Sequence, residues 1–244
     1  MRLRLDKALL ERGLAPTRSR ARDLIVRGMV RVDGAVSCKA GTVVAEDAEL
    51  VLTEPSAYVS RGGLKLAAGL DAFGLTPEGR TALDVGASTG GFTDVLLARG
   101  ARHVFAVDVG HGQIHPRLAA DARVTSLEGQ DARALTAAEI PEPVSAIVAD
   151  VSFISLEKVL PAALGFAAPG AWLVALVKPQ FEAGRAAVGK GGIVRDAGVR
   201  EAQAAKLADW VAQQPGWRVV GVVSSPIEGG SGNQEFLLGA LCDG

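Results

Sequence analysis

The sequence predicts an α/β chain: a Rossmann-like domain on a mostly parallel seven-stranded sheet with one antiparallel strand, behind a small N-terminal α+β domain. Three observations predict it. From residue 81 onward, near-continuous apolar runs alternate with helical stretches, the pattern of strands covered on both faces. The last two runs have too little chain between them for a crossover helix, so they form a hairpin. Residues 1–33 carry nine Lys/Arg against four acids, a net +5 that leaves −6 for the remainder of a chain whose total is −1, so a basic head stands apart from an acidic body.

In the head, residues 4–12 read as a helix with Leu5, Ala8, Leu9 and Leu10 as its apolar stripe, stopped by Gly13. Thr17 or Ser19 caps a second helix in which Ala21, Leu24 and Ile25 recur at helical spacing until Gly28. MVRVDGAV alternates around Asp33-Gly34, a hairpin signal, and residues 48–52 read as a further strand. The head is expected to occupy residues 1–53, a linker 54–62, and the larger domain 63–244. In that domain the expected strands are TALDVG from 81, then 103–108, 124–129, 145–150, 171–177, 217–225 and 235–241, with helices near 92–99, 156–166 and 197–213.

Composition excludes several classes. The N-terminus MRLRLDKALLERG has no apolar segment of a secretory signal, and no run of 18 apolar residues occurs, so a cytoplasmic chain off the membrane is expected. Cys38 and Cys242 have no metal-ligand spacing and read as two free thiols in a reducing compartment, so no metal site is expected. His103, His111 and His115 form no ligand geometry and read as surface or turn residues.

The first strand of the larger domain runs into Asp84-Val85-Gly86-Ala87-Ser88-Thr89-Gly90-Gly91-Phe92. Glycines let the backbone pass close to a ligand, and the following helix opens with unpaired N–H groups. The spacing is G-x-x-x-G-G rather than the G-x-G-x-x-G of dinucleotide binders, and no P-loop Lys-Ser/Thr pair follows. The loop resembles motif I of S-adenosylmethionine methyltransferases. Asp84, Gly86, Ser88, Gly90, Gly91 and Phe92 are therefore candidates for holding that cofactor, with Asp108 placed for ribose hydroxyls and Asp131 for the adenine.

Asp150 and Lys178 each close an almost purely apolar strand, Glu235 opens the last one, and Lys65 lies ahead of the first strand of the domain. Methyl transfer to an alcohol needs a hydroxyl made nucleophilic, and a lysine can accept or share its proton. Lys178 is the candidate for that role. Asp150 and Glu235 would orient the lysines, and Lys65 would tune charge or place a ribose.

Arg4-Leu5-Asp6, Arg12-Gly13-Leu14, Ser19-Arg20, Leu24-Ile25, Gly28 and Val32-Asp33-Gly34 resemble the S-four RNA-binding domain. Together with Ser60-Arg61-Gly62-Gly63-Leu64-Lys65, the glycine loop, Asp150-Val151-Ser152-Phe153, Lys178-Pro179-Gln180-Phe181 and Asn233-Gln234-Glu235-Phe236, they resemble the TlyA, or haemolysin-A, family along essentially the whole chain. The resemblance implies an FtsJ-like catalytic domain that 2′-O-methylates a cytidine of ribosomal RNA, with Lys65, Asp150, Lys178 and Glu235 as its Lys-Asp-Lys-Glu tetrad and ribosomal RNA or ribosomal subunits as partners. One departure stands out: the adenine-side E-x-x-N-x-R segment reads Glu128-Gly129-Gln130-Asp131-Ala132-Arg133 here, and Asp for Asn keeps an acceptor but removes a donor. The chain starts almost at its RNA-binding domain, as in shorter family members that modify large-subunit RNA, so that subunit is favoured.

Arg4, Lys7, Arg18, Arg20, Arg22 and Arg27 are the expected phosphate contacts, since aromatics are scarce in the head. The glycine-hinged stretch 181–195, with Arg185, Lys190 and Arg195, is expected to close over RNA as a lid. Two other readings remain: a non-catalytic RNA-binding assembly factor, and a membrane-lytic protein, for which no amphipathic or spanning segment is evident.

Overall fold

The computed structural model describes residues 2–26, 28–37, 39–52, 58–184, 187–189, 191–229 and 232–243. Arg27, Cys38, Arg185, Lys190 and residues 53–57 of the expected linker lie outside the described residues. The chain divides into two compact units, 1–61 and 62–244.

In the smaller unit, strand β1 (Arg2–Arg4) precedes helix α1 (Leu5–Glu11), so the helix begins one residue later than expected. Leu5, Ala8 and Leu9 are buried, but Leu10 is 39% exposed and does not belong to the stripe. At 3.6 residues per turn it points about 150° away from the centre of the face set by residues 5, 8 and 9. In helix α2 (Arg18–Val26), Ala21, Leu24 and Ile25 face the core, and Arg20 N donates to Thr17 Oγ1, which identifies Thr17 as the cap. Strands β2 (Val30–Val32) and β3 (Ala35–Val36) form the expected hairpin, with Asp33 and Gly34 both at positive φ. Strand β4 (Val43–Ala45), which sequence pattern did not reveal, pairs antiparallel with β1, while β5 (Leu50–Leu52) pairs with β2.

The larger unit opens with helix α3 (Gly62–Phe73), where no element was expected. It packs on the sheet through Leu66, Leu70 and Gly69; a Cβ at Gly69 would sit 3.1 Å from Val174. There follow β6 (Thr81–Val85), α4 (Gly91–Ala98), β7 (His103–Asp108), α5 (Pro116–Ala119), β8 (Val124–Glu128), β9 (Val144–Ala149), α6 (Leu156–Leu164), β10 (Ala167–Val177), α7 (Pro179–Glu182), α8 (Ala197–Ala212), β11 (Trp217–Ser224) and β12 (Phe236–Cys242). The seven strands are ordered β11-β12-β10-β9-β6-β7-β8. β12 alone runs antiparallel, inserted between β10 and β11. Central strand β6 is buried along its whole length, as strands covered on both faces must be. β10 reaches back to Ala167 through a register shift, longer than the apolar run suggested.

This topology gathers chemistry at one edge. The carboxyl ends of β6, β7, β9 and β10 open on the same side, and because β12 is reversed, its beginning lies there too. The reversal of strand order at β6, from which the chain runs outward to β7 and β8 on one side and to β9 and β10 on the other, makes the crevice where ligands of open α/β sheets bind.

Candidate active site

At the end of β6 the chain turns sharply. Gly86 and Gly90 have φ of +84° and +91°, and Ser88 is also left-handed at +48°. A Cβ on Gly86 would lie 2.5 Å from the backbone oxygen of Asp150, so the close passage of these two strand ends requires glycine. The turn is fixed from β7: Ser88 N donates to Asp108 Oδ2 at 2.8 Å and Gly110 N to Asp108 Oδ1 at 2.7 Å.

Beside the turn lies a cavity of about 480 Å³, walled by Val85, Val107, Val151 and Ile154 and edged by Gly86, Ser88, Asp108, Asp131 and Asp150. That size and mixture suit a nucleoside-sized ligand. Four of the eight candidate cofactor residues, Gly86, Ser88, Asp108 and Asp131, line it. Asp84, Gly90, Gly91 and Phe92 are not part of its wall. Gly90 caps α4, Gly91 and Phe92 are buried at its start, and Asp84 is fully buried beneath the turn. Sequence reasoning missed Gln113, Gln130 and Phe153 in the lining.

The Glu-x-x-Asp-x-Arg segment acquires a physical account. Glu128 accepts from the N–H groups of Gly112, Gln113 and Ile114, which shapes the loop that brings Gln113 to the cavity. Asp131 accepts from Arg133 N and Nε, both at 2.9 Å, and the guanidinium holds its carboxyl down at about 2. It therefore stands at the cavity edge as a fixed, ionised acceptor.

Asp84 behaves oppositely. Thr93 Oγ1 donates to Oδ2 at 2.6 Å, whereas buried Oδ1 has no partner among the described residues. Burial pushes its carboxyl up to about 7, with Asp150 and Asp108 adding to the rise against the Thr93 bond. A group whose folded pKa is raised stabilises the fold at low pH and loses that contribution as pH climbs. Between about pH 4 and 7, therefore, Asp84 should cost up to about 4 kcal/mol of unfolding free energy. Urea titrations across that range should show the decline, and Asp84→Asn should flatten it; an unchanged slope in the variant would refute the assignment.

The four tetrad candidates form two ion pairs. Lys178 Nζ lies 2.5 Å from Asp150 Oδ1, a close charge pair without hydrogen-bond alignment, and donates instead to Ser152 Oγ at 2.9 Å. Lys65 Nζ donates to Glu235 Oε2 at 2.5 Å, with side chains only 10% and 2% exposed. The first pair reaches the cavity through Asp150, whose N–H donates to Val85 O at the end of β6. The second pair is brought beside the first by sheet register: Val177 faces Phe236, so the next step along each strand sets Lys178 against Glu235. Glu235 is seated so closely that a Cβ on Gly229 would lie 2.3 Å from its Oε1.

Phe153 is 91% exposed and holds φ at +66°, a conformation costly for a bulky residue. It stands between the cofactor-sized cavity and a second one of about 410 Å³ lined by Gln180, Phe181, Gly184 and Val188, with its ring 5.0 Å from that of Phe181. From the stretch expected as a lid, Val194 N donates to Asn233 Oδ1 and Asn233 Nδ2 donates to Gly192 O, so its far end is tied to the start of β12.

On the smaller unit every described phosphate-contact candidate already holds an acid. Arg4, Arg18 and Arg22 converge on Asp6, Arg20 pairs with Asp23 at 2.6 Å, and Lys7 with Glu11 at 3.3 Å. All five remain about half exposed.

Comparison with known proteins agrees with this geometry. Residues 58–241 match the FtsJ-like methyltransferase family and residues 3–50 the S4 domain. The 16S/23S rRNA (cytidine-2′-O)-methyltransferase TlyA of Mycobacterium tuberculosis is 49% identical over 97% of this chain and 89% of its own length. Hemolysin A of Brachyspira hyodysenteriae is 41% identical over 96% of this chain and 98% of its own. A solved structure of a protein named as a hemolysin from Streptococcus thermophilus superposes with a TM-score of 0.76 at 41% identity, covering 99% of this chain and 88% of that one.

Proposed function

This chain belongs to the TlyA family of FtsJ-like methyltransferases that carry an S4 domain, and from that premise we propose that it methylates the 2′-hydroxyl of a cytidine in ribosomal RNA, drawing the methyl group from S-adenosylmethionine. The observation that carries the reading is the pair of lysine–carboxylate contacts, Lys178–Asp150 and Lys65–Glu235, at the sheet edge beside the cavity. A non-catalytic assembly factor has no use for two lysines held at that edge. Among the described residues no helix is long and apolar enough to cross a membrane, so the lytic reading gains no structural support.

The residues present fit the cofactor. The cavity has the size for a nucleoside, and the unpartnered Oδ1 of Asp84 lies under the turn that borders it. Gly86, Ser88, Asp108 and Asp131 would hold it, Asp108 taking ribose hydroxyls and Asp131 the adenine side. When bound, S-adenosylmethionine supplies an electrophilic methyl group on a sulfonium. Lys178 acts on the target 2′-hydroxyl: as the neutral amine, after giving up its own proton, it orients the hydroxyl and accepts its proton as the oxygen becomes the nucleophile. Asp150 and Ser152 fix the Lys178 head group. Glu235 fixes Lys65, whose ammonium places the ribose.

Phe153 and Phe181 supply a face for the target base, which must leave its stack for the ribose to reach the edge. Losing a base–aromatic stack costs about 1–3 kcal/mol, so Phe153→Ala should lower kcat/KM for RNA by roughly 5- to 150-fold. Melting should be unaffected, and Phe153→Trp should retain activity; equal kcat/KM in the alanine variant would remove the stacking role.

The function itself is tested by incubating the protein with labelled S-adenosylmethionine and unmodified ribosomal RNA of both subunits, then mapping modified nucleotides by mass. The expected product is 2′-O-methylcytidine, in large-subunit RNA at least. Incorporation into a base, or none into either RNA, would overturn the proposal.

A further inference from the structure

Asp6 is fully buried, yet among the described residues every side-chain hydrogen bond to its carboxylate comes from an arginine. Arg4 donates to Oδ1 through Nε at 3.1 Å and to Oδ2 through Nη2 at 3.4 Å. Arg18 and Arg22 both use only Nε, donating to Oδ2 at 2.9 and 3.1 Å. The arginines come from three places: the end of β1 and the first and second turns of α2. Binding by Nε leaves the terminal Nη groups of Arg18 and Arg22, and Nη1 of Arg4, without another recorded partner among the described residues. The three side chains are 49%, 49% and 53% exposed.

We propose that Asp6 is a positioning residue that assembles Arg4, Arg18 and Arg22 into a seat for a backbone phosphate of RNA. The proposal rests on the RNA-methylating function above and specifies where its substrate is gripped. One carboxylate needs one guanidinium for neutrality. Three leave the cluster at +2, a surplus that joining α1 to α2 does not require. A buried acceptor that takes the Nε–H groups sets each guanidinium plane; it leaves both Nη groups of Arg18 and Arg22, and Nη1 of Arg4, to donate to phosphate oxygens. Rotamer freedom that a loose arginine would surrender on binding is already spent. The site lies at the capped start of α2, where the helix dipole also favours an anion.

The proposal makes a prediction opposite in sign to diffuse charge attraction. Asp6→Asn makes the protein more positive by one unit, so unorganised electrostatics would tighten RNA binding. Loss of the seat should weaken it, by about fivefold or more, since charge-assisted bonds need their geometry. The measurement is binding of the full chain to protein-free ribosomal RNA over a series of KCl concentrations, with melting curves for each variant. Arg22→Gln should lower the slope of log K against log salt by about 0.7–0.9, one phosphate contact. If Asp6→Asn fails to fold, Arg18→Lys with Arg22→Lys keeps the charge and removes the forks; about tenfold weaker binding is expected. Binding by Asp6→Asn that equals or exceeds the parent, with native melting, overturns the seat, and so does unchanged affinity of the double lysine variant. Methyl incorporation on the same RNA separates the two proposals. A lost seat raises KM and leaves kcat at saturating RNA within about twofold. Absence of incorporation by the parent protein, with the binding pattern intact, would remove the enzyme and leave the seat standing.

Discussion

Replacing Lys178 by alanine is expected to lower kcat for methyl transfer by about 10²- to 10⁴-fold, the range that a positioned proton-transfer group contributes. Among the described residues the polar partners of its Nζ are Asp150 and Ser152, at 2.5 and 2.9 Å, and Asp150 is 23% exposed, so water can replace the lost ammonium and the fold should stand. Cofactor affinity should change little, because Lys178 is not part of the cavity wall. Single-turnover rates with saturating S-adenosylmethionine read the effect directly. Lys178→Arg should not rescue it, since a guanidinium keeps the charge but cannot shed its proton to become a base. A rate within tenfold of the parent would move the chemistry to another residue.

The second large effect is on stability. Glu235→Ala strands the Lys65 ammonium, whose side chain is 10% exposed, and breaking a buried pair from one side costs about 3–5 kcal/mol. Urea unfolding should show that loss together with loss of methylation. Lys65→Met combined with Glu235→Leu removes both charges and fills the space, so stability should return to within about 1 kcal/mol while methylation stays absent. A single variant losing less than about 1 kcal/mol would mean that the pair is solvated rather than buried. A double variant that methylates would show the pair to be scaffolding.

Much of the sheet was legible because burial on both faces forces long apolar runs: β6, β7 and β9 could be read almost to the residue, and β10 to its end though not to its start. So could the Asp33-Gly34 turn and the Thr17 cap, where local chemistry dictates the backbone. What escaped was decided by distant partners. Helix α3 opens with Gly62 and Gly63 and carries Gly69, poor helix formers that are tolerated because Gly69 lies against Val174 of β10 and Leu237 of β12 while Leu66 and Leu70 are fully buried. β1 and β4, three residues each, exist only by pairing with one another. The four polar residues at strand ends were legible as candidates, but how they pair, Lys65 with Glu235 and Lys178 with Asp150, follows from sheet order. The left-handed backbone that presents Phe153 outward leaves no mark in Ser152-Phe153-Ile154. Likewise, a count of basic residues could not show that Asp6 gathers three of them.

The reversed strand β12 has a bearing on when the enzyme comes into being. Lys65 and Glu235 stand 170 residues apart, so most of the chain leaves the ribosome before the lysine can meet its counter-charge. Without the β11–β12 hairpin the sheet order would end at β10, and the carboxylate that meets Lys65 would be missing from its edge. A chain without β12 and the residue that precedes it has no Glu235, and Lys65 is then left without the carboxylate that it holds in the folded protein.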